Sequence, residues 1–257
     1  MKTIDTLIRA AYPLIYEHNK YIENLSDQLR LVDLDTMEDF NRFCSQYKEL
    51  LSHFIFQEKV IGMANRMYTV GVYADKNSEL LAIFTGRKVR GYPPNIGDCM
   101  VGQSEPLPEL VKLTKKLIKD LNYTGVAEVE FKKDARTEEY KLIEVNPRSW
   151  SWIGITPACG VNIPLIAYND AVLGERCFSQ SRCDVGKVKW VRLIDDFITC
   201  IYWNKRIGFP KESLKFREWL NSLNGKRVIA EFDKSDPLPI IAFALRRLYE
   251  LSTGKRG

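Results

Sequence analysis

Hydrophobic and polar residues alternate in several short segments of the chain, whereas other segments repeat hydrophobic residues at helical spacing. Alternating segments bounded by turn residues predict strands within residues 57–100 and at 126–132, 140–146 and 226–232. Hydrophobic residues three and four positions apart predict helices at 37–51, 106–121, 162–173 and 238–251. Strands mixed with separate helices indicate the α+β class.

The first part of the chain, residues 1–56, predicts a helix, two strands and a second helix. The first of these helices is placed at 6–11. The second helix, at 37–51, has Asp35 or Thr36 as its N-cap, because short polar side chains accept from the first free amides of a helix.

The last part of the chain, beyond a change of composition at 175–181, predicts a mostly helical extension that begins at about Val188. Arg192, Asp195 and Asp196 are placed on its first helix. Neither an internal repeat nor a low-complexity segment is present in the sequence.

The two strands in the middle of the chain carry an unusual set of polar residues. Side chains alternate between the faces of a strand, so Glu128 and Glu130 share one face of the first, and Glu144 and Asn146 share one face of the second. A short charged segment separates the strands and predicts a hairpin. If the apolar faces of both strands go to the core, three carboxylates and a carboxamide converge on the other side, where the like charges repel and a hard divalent cation would relieve the repulsion. A solvated acidic face is the alternative interpretation.

Cations flank this hairpin in the sequence. Pro147 ends the second strand, because it cannot donate to the ladder, and leaves Arg148 beside the carboxylates. Arg87, Lys88 and Arg90 follow a hydrophobic strand. A metal and an arginine side by side suit the oxygens of a polyphosphate. The run at 87–90 is equally typical of a solvated basic turn.

Composition narrows the class of protein. The 257 residues are 45% hydrophobic and 28% charged, as in ordinary globular domains. The net charge of +5 is scattered along the chain, which suits a polyphosphate ligand and argues against nucleic acid as a partner. No hydrophobic run predicts a membrane span, and the start of the chain lacks a clear signal-peptide core. The six cysteines form no C-x-x-C pair and argue against a zinc site. We therefore expect a cytoplasmic protein.

With these residues in view, the sequence resembles the ATP-grasp superfamily, most closely the predicted carboxylate-amine ligases that include D-aspartate ligase-like proteins. The segments "VEF" and "LIEVNPR" carry the resemblance, which runs in order from about residue 6 to 175. It implies ATP and Mg²⁺ as ligands. Glu130, Glu144 and Asn146 would hold the metal, and Arg148 would stabilise charge on the transferred phosphoryl group. Arg87, Lys88 or Arg90 would face the triphosphate or an acyl phosphate.

The resemblance also implies an adenine site at the hinge between two ATP-grasp subdomains, residues 57–61. Backbone groups of Lys59 and Ile61 would contact the adenine edge, and Glu58 would accept from the exocyclic amine. A buried strand with a polar end is the alternative for this segment. The implied fold is α+β, with a truncated lid subdomain at 1–56, a metal- and nucleotide-binding subdomain at 57–175 whose antiparallel sheet carries the metal site, and a mostly helical C-terminal extension at 184–257.

The start of the chain departs from the family pattern. Glu17 stands where the family has a phosphate-binding lysine, Gln28 is near the position of a second one, and the first glycine is Gly62. The glycine-rich lid loop is therefore missing from the sequence, and Lys20 or Arg30 would have to replace the lysines. Relatives also begin with a further α/β domain, so a separate N-terminal domain or subunit is an expected partner.

The function implied is an ADP-forming ligase that joins a small-molecule carboxylate to an amine through an acyl phosphate. The missing lid residues lead us to expect slow turnover by this chain alone. The alternative is a reduced, non-catalytic nucleotide-binding or scaffold protein that has retained the metal-binding half. A structural protein unrelated to ATP is a third interpretation.

Overall fold

A computed structural model describes residues 8–11, 31–92, 94, 98–180, 187–206 and 208–253 of the chain. These residues fall into two compact units, residues 1–61 and 62–257. Glu17, Lys20, Gln28 and Arg30, which concern the predicted lid, lie outside the described residues.

The first unit contains a small antiparallel sheet and one α-helix among its described residues. The central strand is β1 (Ile8–Ala11), with β2 (Leu31–Leu34) and β3 (Ile55–Glu58) on either side. The helix predicted at 6–11 is wrong, because Ile8–Ala11 pairs with both neighbours and these ladders decide the conformation of so short a segment.

The predicted helix at 37–51 is confirmed in its first two-thirds. Helix α1 (Met37–Gln46) begins after Thr36, whose side chain accepts from the amide of Asp39 at 3.0 Å, and the chain continues as a 3₁₀ helix at Lys48–His53. Phe43 packs with Leu34 and Phe54 to form the core of this unit.

The second unit is built on one large sheet, eight-stranded over the described residues. The strands are β4 (Met67–Ala74), β5 (Leu80–Tyr92), β6 (Asp98–Ser104), β7 (Gly125–Lys133), β8 (Tyr140–Asn146), β9 (Ser179–Gln180), β10 (Val188–Val191) and β11 (Lys226–Ile229). The main path of the sheet runs β11-β10-β6-β5-β4-β7-β8. Neighbours are antiparallel except for the parallel pairs β10–β11 and β5–β9.

The helices of this unit connect the strands or follow them. The α-helices longer than one turn are α2 (Pro108–Asp120), α3 (Ile163–Tyr168), α4 (Leu193–Ile198), α5 (Phe216–Ser222) and α6 (Leu238–Thr253). Helix α3 continues as a π-helical turn at Asn169–Leu173, which confirms the helix predicted at 162–173. The predictions at 106–121 and 238–251 are likewise confirmed, and no helix of the described residues combines the length and the hydrophobicity of a membrane span.

The C-terminal extension begins with a strand. Val188–Val191 forms strand β10, which pairs with β6 of the main sheet, and the helices of the extension follow it. Asp195 and Asp196 do lie on the first helix, α4, whereas Arg192 is its N-cap. The predicted strand at 226–232 ends at Ile229. The extension therefore completes the sheet that carries the central hairpin.

One face of the sheet is covered by helix α2. Its Leu110 and Ile118 are fully buried and pack with Val70, Val72 and Val129 of the central strands. Alternation then directs Thr69, Glu128 and Glu130 to the other face.

Two tryptophans cover part of that other face. Trp150 and Trp152 are buried and pack in the core on this face. The indoles pack directly on the glycine backbone of the sheet at Gly71, Gly86 and Gly102. A Cβ on Gly71 would lie 2.0 Å from Trp150 Cη2, and one on Gly102 would lie 2.4 Å from Trp152 Cε3. At about 25 cal/mol per Å², burial of an indole stabilises the fold by about 4 to 6 kcal/mol.

We expect Gly71→Ala to destabilise the protein by about 1–3 kcal/mol or more, because the added methyl overlaps a buried indole that cannot move freely. Gly154→Ala is the matched control, since the nearest heavy atom to its Cβ would be Trp190 Nε1 at 4.0 Å. Urea unfolding of both variants measures the difference. Equal midpoints for Gly71→Ala and the wild-type chain would contradict this account of the packing.

Candidate functional site

The predicted hairpin is confirmed. Strands β7 and β8 pair antiparallel, with Glu130 opposite Glu144 and Glu128 opposite Asn146. These four residues therefore share one face, as the alternation predicted, although the register shifts between Glu130 and Phe131.

The side chains on this face contact one another. Asn146 Nδ2 donates to Glu144 Oε1 at 2.8 Å, and the carboxyl groups of Glu130 and Glu144 are within hydrogen-bonding reach. Thr69 of β4 donates its hydroxyl to Glu128 Oε1 at 3.1 Å. We call Glu128, Glu130, Glu144 and Asn146 the carboxylate cluster.

Lys88 is the cation that the structure brings to this cluster. Its Nζ lies 2.8 Å from Glu130 Oε1, and both side chains are largely buried. Lys88 belongs to β5 and Glu130 to β7, so the pair reaches across β4, which separates the two strands. The sequence alone could not show this contact, because it joins strands that are not neighbours.

Arg87 and Arg90 are placed elsewhere. Arg87 follows the alternation to the opposite face from Lys88, and its Nε lies 2.7 Å from Glu105 Oε2. The ladder between β5 and β6 is irregular around Val89: Lys88 pairs with Gly102, whereas Arg90 pairs with its neighbour Val101. Adjacent residues of β6 face opposite ways, so this β-bulge turns Arg90 away from Lys88.

Arg90 instead binds the C-terminal extension. Its Nε and Nη2 donate to the two carboxylate oxygens of Asp196 at 2.8 and 2.7 Å. Its Nη1 donates to Ser222 Oγ at 2.9 Å, and Trp219 Nε1 donates to Asp196 Oδ2 at 2.7 Å. Asp196 is completely buried, so these contacts replace its hydration. This network joins residues more than a hundred positions apart, so no local pattern in the sequence predicts it.

Arg148 follows the second strand of the hairpin, as predicted. Its side chain is exposed, and Nη1 donates to the carbonyl of Ser149 at 2.9 Å. Its charge acts on Glu144, since it helps to lower the pKa of that carboxyl group. Arg148 is therefore a second cation at the cluster, on its exposed side.

The electrostatics of the cluster reflect crowding of like charges. Burial raises the pKa of Glu128 to about 7, and the neighbouring Glu130 adds to this effect. Burial also raises the pKa of Glu130, although Lys88 opposes the shift. For Glu144, hydrogen bonding with Glu130 and Asn146 outweighs burial and lowers the pKa. Burial disfavours the charge of Lys88, but Glu130 outweighs it and the pKa of Lys88 is raised.

The donor set fits a hard cation that phosphate helps to bind. No group of three Asp, Glu, His or Cys side chains has metal-binding geometry among the residues that the structure describes. Glu130, Glu144 and Asn146 do offer two carboxylates and an amide oxygen on one face. Mg²⁺ is commonly held by one or two carboxylates together with substrate phosphates, so this smaller set is chemically suitable.

The predicted adenine-site residues lie at the end of the first unit. Glu58 is the last residue of β3, and Lys59 and Ile61 follow it, half-buried. The ammonium group of Lys59 is held by Asp33 Oδ2 at 2.9 Å and by Asp35 Oδ1 at 2.8 Å. This pairing holds the Lys59 side chain in place and does not involve the Lys59 backbone. The contact of that backbone with adenine therefore stays a prediction.

Comparison with known proteins gives one match to a family model, described as ATP-grasp in the biosynthetic pathway with Ter operon, over residues 62–192. The D-aspartate ligase of Enterococcus faecium (strain Aus0004) is 24% identical over 172 residues, which are 64% of this chain and 41% of that protein. The chain thus spans about two-fifths of the length of this curated relative.

Solved structures also resemble the chain. N5-carboxyaminoimidazole synthetase from Staphylococcus aureus, complexed with ADP, superposes with a TM-score of 0.52 at 13% identity, over 80% of this chain and 51% of that one. The biotin carboxylase domain of the Hydrogenobacter thermophilus 2-oxoglutarate carboxylase, in complex with MgADP, gives a TM-score of 0.44 at 18% identity, over 58% and 35% of the respective chains. The first of these shows a shared fold.

Proposed function

Because the chain belongs to the ATP-grasp family, we propose that it is an ADP-forming ligase that joins a carboxylate to an amine through an acyl phosphate. The observation that carries the proposal is the carboxylate cluster, with Glu130 opposite Glu144 and with Lys88 and Arg148 beside it. The D-aspartate ligase relative supports this class of reaction. An acidic surface without a ligand would gain nothing from buried, mutually repelling carboxylates.

In the proposed reaction, an oxygen of the substrate carboxylate attacks the γ-phosphorus of ATP, and the bond to the β-phosphate oxygen breaks to release ADP. The nitrogen of the unprotonated amine then attacks the acyl carbon, phosphate leaves, and the nitrogen loses one proton to solvent or phosphate. Such chemistry requires positioning and neutralisation of charge and does not require a side-chain nucleophile.

The residues of the cluster have distinct proposed roles. Glu130, Glu144 and Asn146 would hold Mg²⁺, which would neutralise and orient the phosphate oxygens. Lys88 and Arg148 would stabilise the negative charge of the transferred phosphoryl group, Lys88 from the buried side and Arg148 from the exposed side. Arg87 and Arg90 have their own carboxylate partners on the opposite face, so we assign them no contact with phosphate.

The adenine would bind at residues 57–61, with Glu58 accepting from its exocyclic amine and with backbone groups of Lys59 and Ile61 completing the site. This part of the proposal rests on the family pattern. The second candidate function, a non-catalytic nucleotide-binding protein, is favoured by Glu17 at the position of the family lysine and by the absence of glycine before Gly62 in the sequence.

Hydroxylamine trapping tests the proposal. The purified chain is incubated with Mg²⁺, ATP and a panel of amino acids and small carboxylic acids, with hydroxylamine to convert any acyl phosphate into a hydroxamate. We expect ADP and hydroxamate in equal amounts with one class of carboxylate and neither product in EDTA. Nucleotide binding without either product would favour the second candidate. If the chain binds no nucleotide, both candidates are wrong.

A further inference from the structure

Lys88 has a position that the proposed reaction alone does not require. Its ammonium group lies 2.8 Å from Glu130 Oε1. It therefore occupies a carboxylate oxygen that a bound metal ion would use as a ligand. Both side chains are about nine-tenths buried. A buried carboxylate and ammonium hold each other firmly, since removing either leaves an uncompensated charge.

We propose that Lys88 is the internal counter-cation of the carboxylate cluster: it neutralises Glu130 until metal and polyphosphate bind together, and then transfers to the phosphate oxygens. This inference deepens the proposed function and rests on it for the identity of the second ligand. Its physical basis is the competition of two cations for one carboxylate.

The competition depends on what anions are available. When Mg²⁺ comes alone, it must displace an ammonium group that then has no buried partner, or must bind beside it and be repelled at a few ångströms. When Mg²⁺ comes with a triphosphate, the added negative charges satisfy both cations. Lysine suits this exchange, because its compact ammonium group sits on a flexible stem that can redirect it between acceptors.

The geometry also explains why Lys88 has this role and the neighbouring cations do not. Arg87 is on the opposite face with Glu105, and the bulge at Val89 turns Arg90 towards Asp196. Arg148 is exposed, so water screens its effect on the cluster. Lys88 is therefore the cation that contacts Glu130 from the buried side.

The test measures metal binding without nucleotide. Mn²⁺ serves as the probe, because its free aquo ion gives an EPR signal that is lost on binding. We expect weak binding of Mn²⁺ alone to the wild-type chain and to Lys88→Arg, which keeps the charge. Lys88→Met should bind Mn²⁺ alone at least tenfold more tightly. Adding a nonhydrolysable ATP analogue should increase the Mn²⁺ affinity of the wild-type chain by a larger factor than that of Lys88→Met.

Lys141→Met is the matched control. It removes an equal charge from the same hairpin, but the Lys141 ammonium group pairs with Glu139 at 3.2 Å and is exposed. Its affinity for Mn²⁺ alone should stay within twofold of wild type. The inference is overturned if Lys88→Met also stays within twofold, or if a wild-type chain that binds the analogue binds Mn²⁺ equally well with and without it. If Lys88→Met does not fold, Lys88→Gln takes its place, and the wild-type measurement decides independently.

The two levels of the proposal fail differently. A chain that binds no nucleotide contradicts the proposed function, yet the comparison of Lys88→Met with wild type in Mn²⁺ alone still reports on the counter-cation. A chain that binds metal and nucleotide independently supports the nucleotide site but overturns the exchange of partners by Lys88.

Discussion

Glu144→Gln is expected to abolish most of the stabilisation that the protein gains from magnesium-bound nucleotide. A ligand at a hundred times its Kd stabilises the native state by about 2.7 kcal/mol, which raises the Tm of a domain of this size by about 5 to 10 °C. A neutral amide has the shape of the carboxylate but not its charge, so it binds Mg²⁺ far more weakly. The measurement is the Tm with ATP or ADP, in Mg²⁺ and in EDTA.

Glu139→Gln is the control for this experiment. The substitution is chemically the same, but Glu139 is exposed on the same hairpin, where it pairs with Lys141. We expect its response to Mg²⁺ and nucleotide to equal that of wild type. Wild-type protein that gains the same Tm from nucleotide in EDTA and in Mg²⁺ would count against the metal assignment. A variant Glu144→Gln that keeps the full magnesium response would exclude this carboxylate as a ligand.

Asp196→Ala is expected to cause the largest loss of stability among the changes considered. The substitution removes the acceptor of Arg90 Nε, Arg90 Nη2 and Trp219 Nε1, which donate to Asp196 at 2.8, 2.7 and 2.7 Å, and leaves the buried guanidinium without its counter-charge. Breaking a buried ion pair by removing one partner typically costs about 3–5 kcal/mol. In thermal unfolding this corresponds to a loss of roughly 10 °C or more in Tm.

Asp120→Ala provides the comparison, since the pair between Lys116 and Asp120 is exposed on helix α2. Exposed ion pairs contribute little, and we expect almost no change in Tm. If the two variants unfold at the same temperature, the buried network does not fasten the extension to the sheet in the manner described. Asp196→Asn should be intermediate, because an amide oxygen can still accept from Trp219.

The central hairpin was predictable because its information is local. A period of two in residues 126–132 and 140–146 defines both faces, and Pro147 ends the second strand. The same holds for α2 and α6, whose helical spacing extends over three turns or more. The pattern also indicated that Glu130 and Glu144 share a face, because the apolar faces of both strands are buried in the core together.

The rest depended on pairing between distant segments. Ile8–Ala11 is too short for its spacing to distinguish a helix from a strand, and its two neighbours in the sheet settle the matter. Val188–Val191 forms a strand because it pairs with β6 of the main sheet. The separation of Lys88 from Arg87 and Arg90 was also not predicted from the sequence. The run of cations suggests one shared surface, whereas alternation and a bulge place these side chains on two faces of the sheet.

That bulge at Val89 has a consequence for how this strand can change through insertion and deletion. If Val89 paired in a regular ladder, Arg90 would lie on the same side of β5 as Lys88, and Asp196 would lose its partner on the other side. The pairing of this one residue thus decides which positive charge is available to a ligand and which one fastens the chain. Deletion of Val89 would make Lys88 and Arg90 adjacent, and adjacent residues face opposite ways, so the strand could lose this residue without exchanging the two charges.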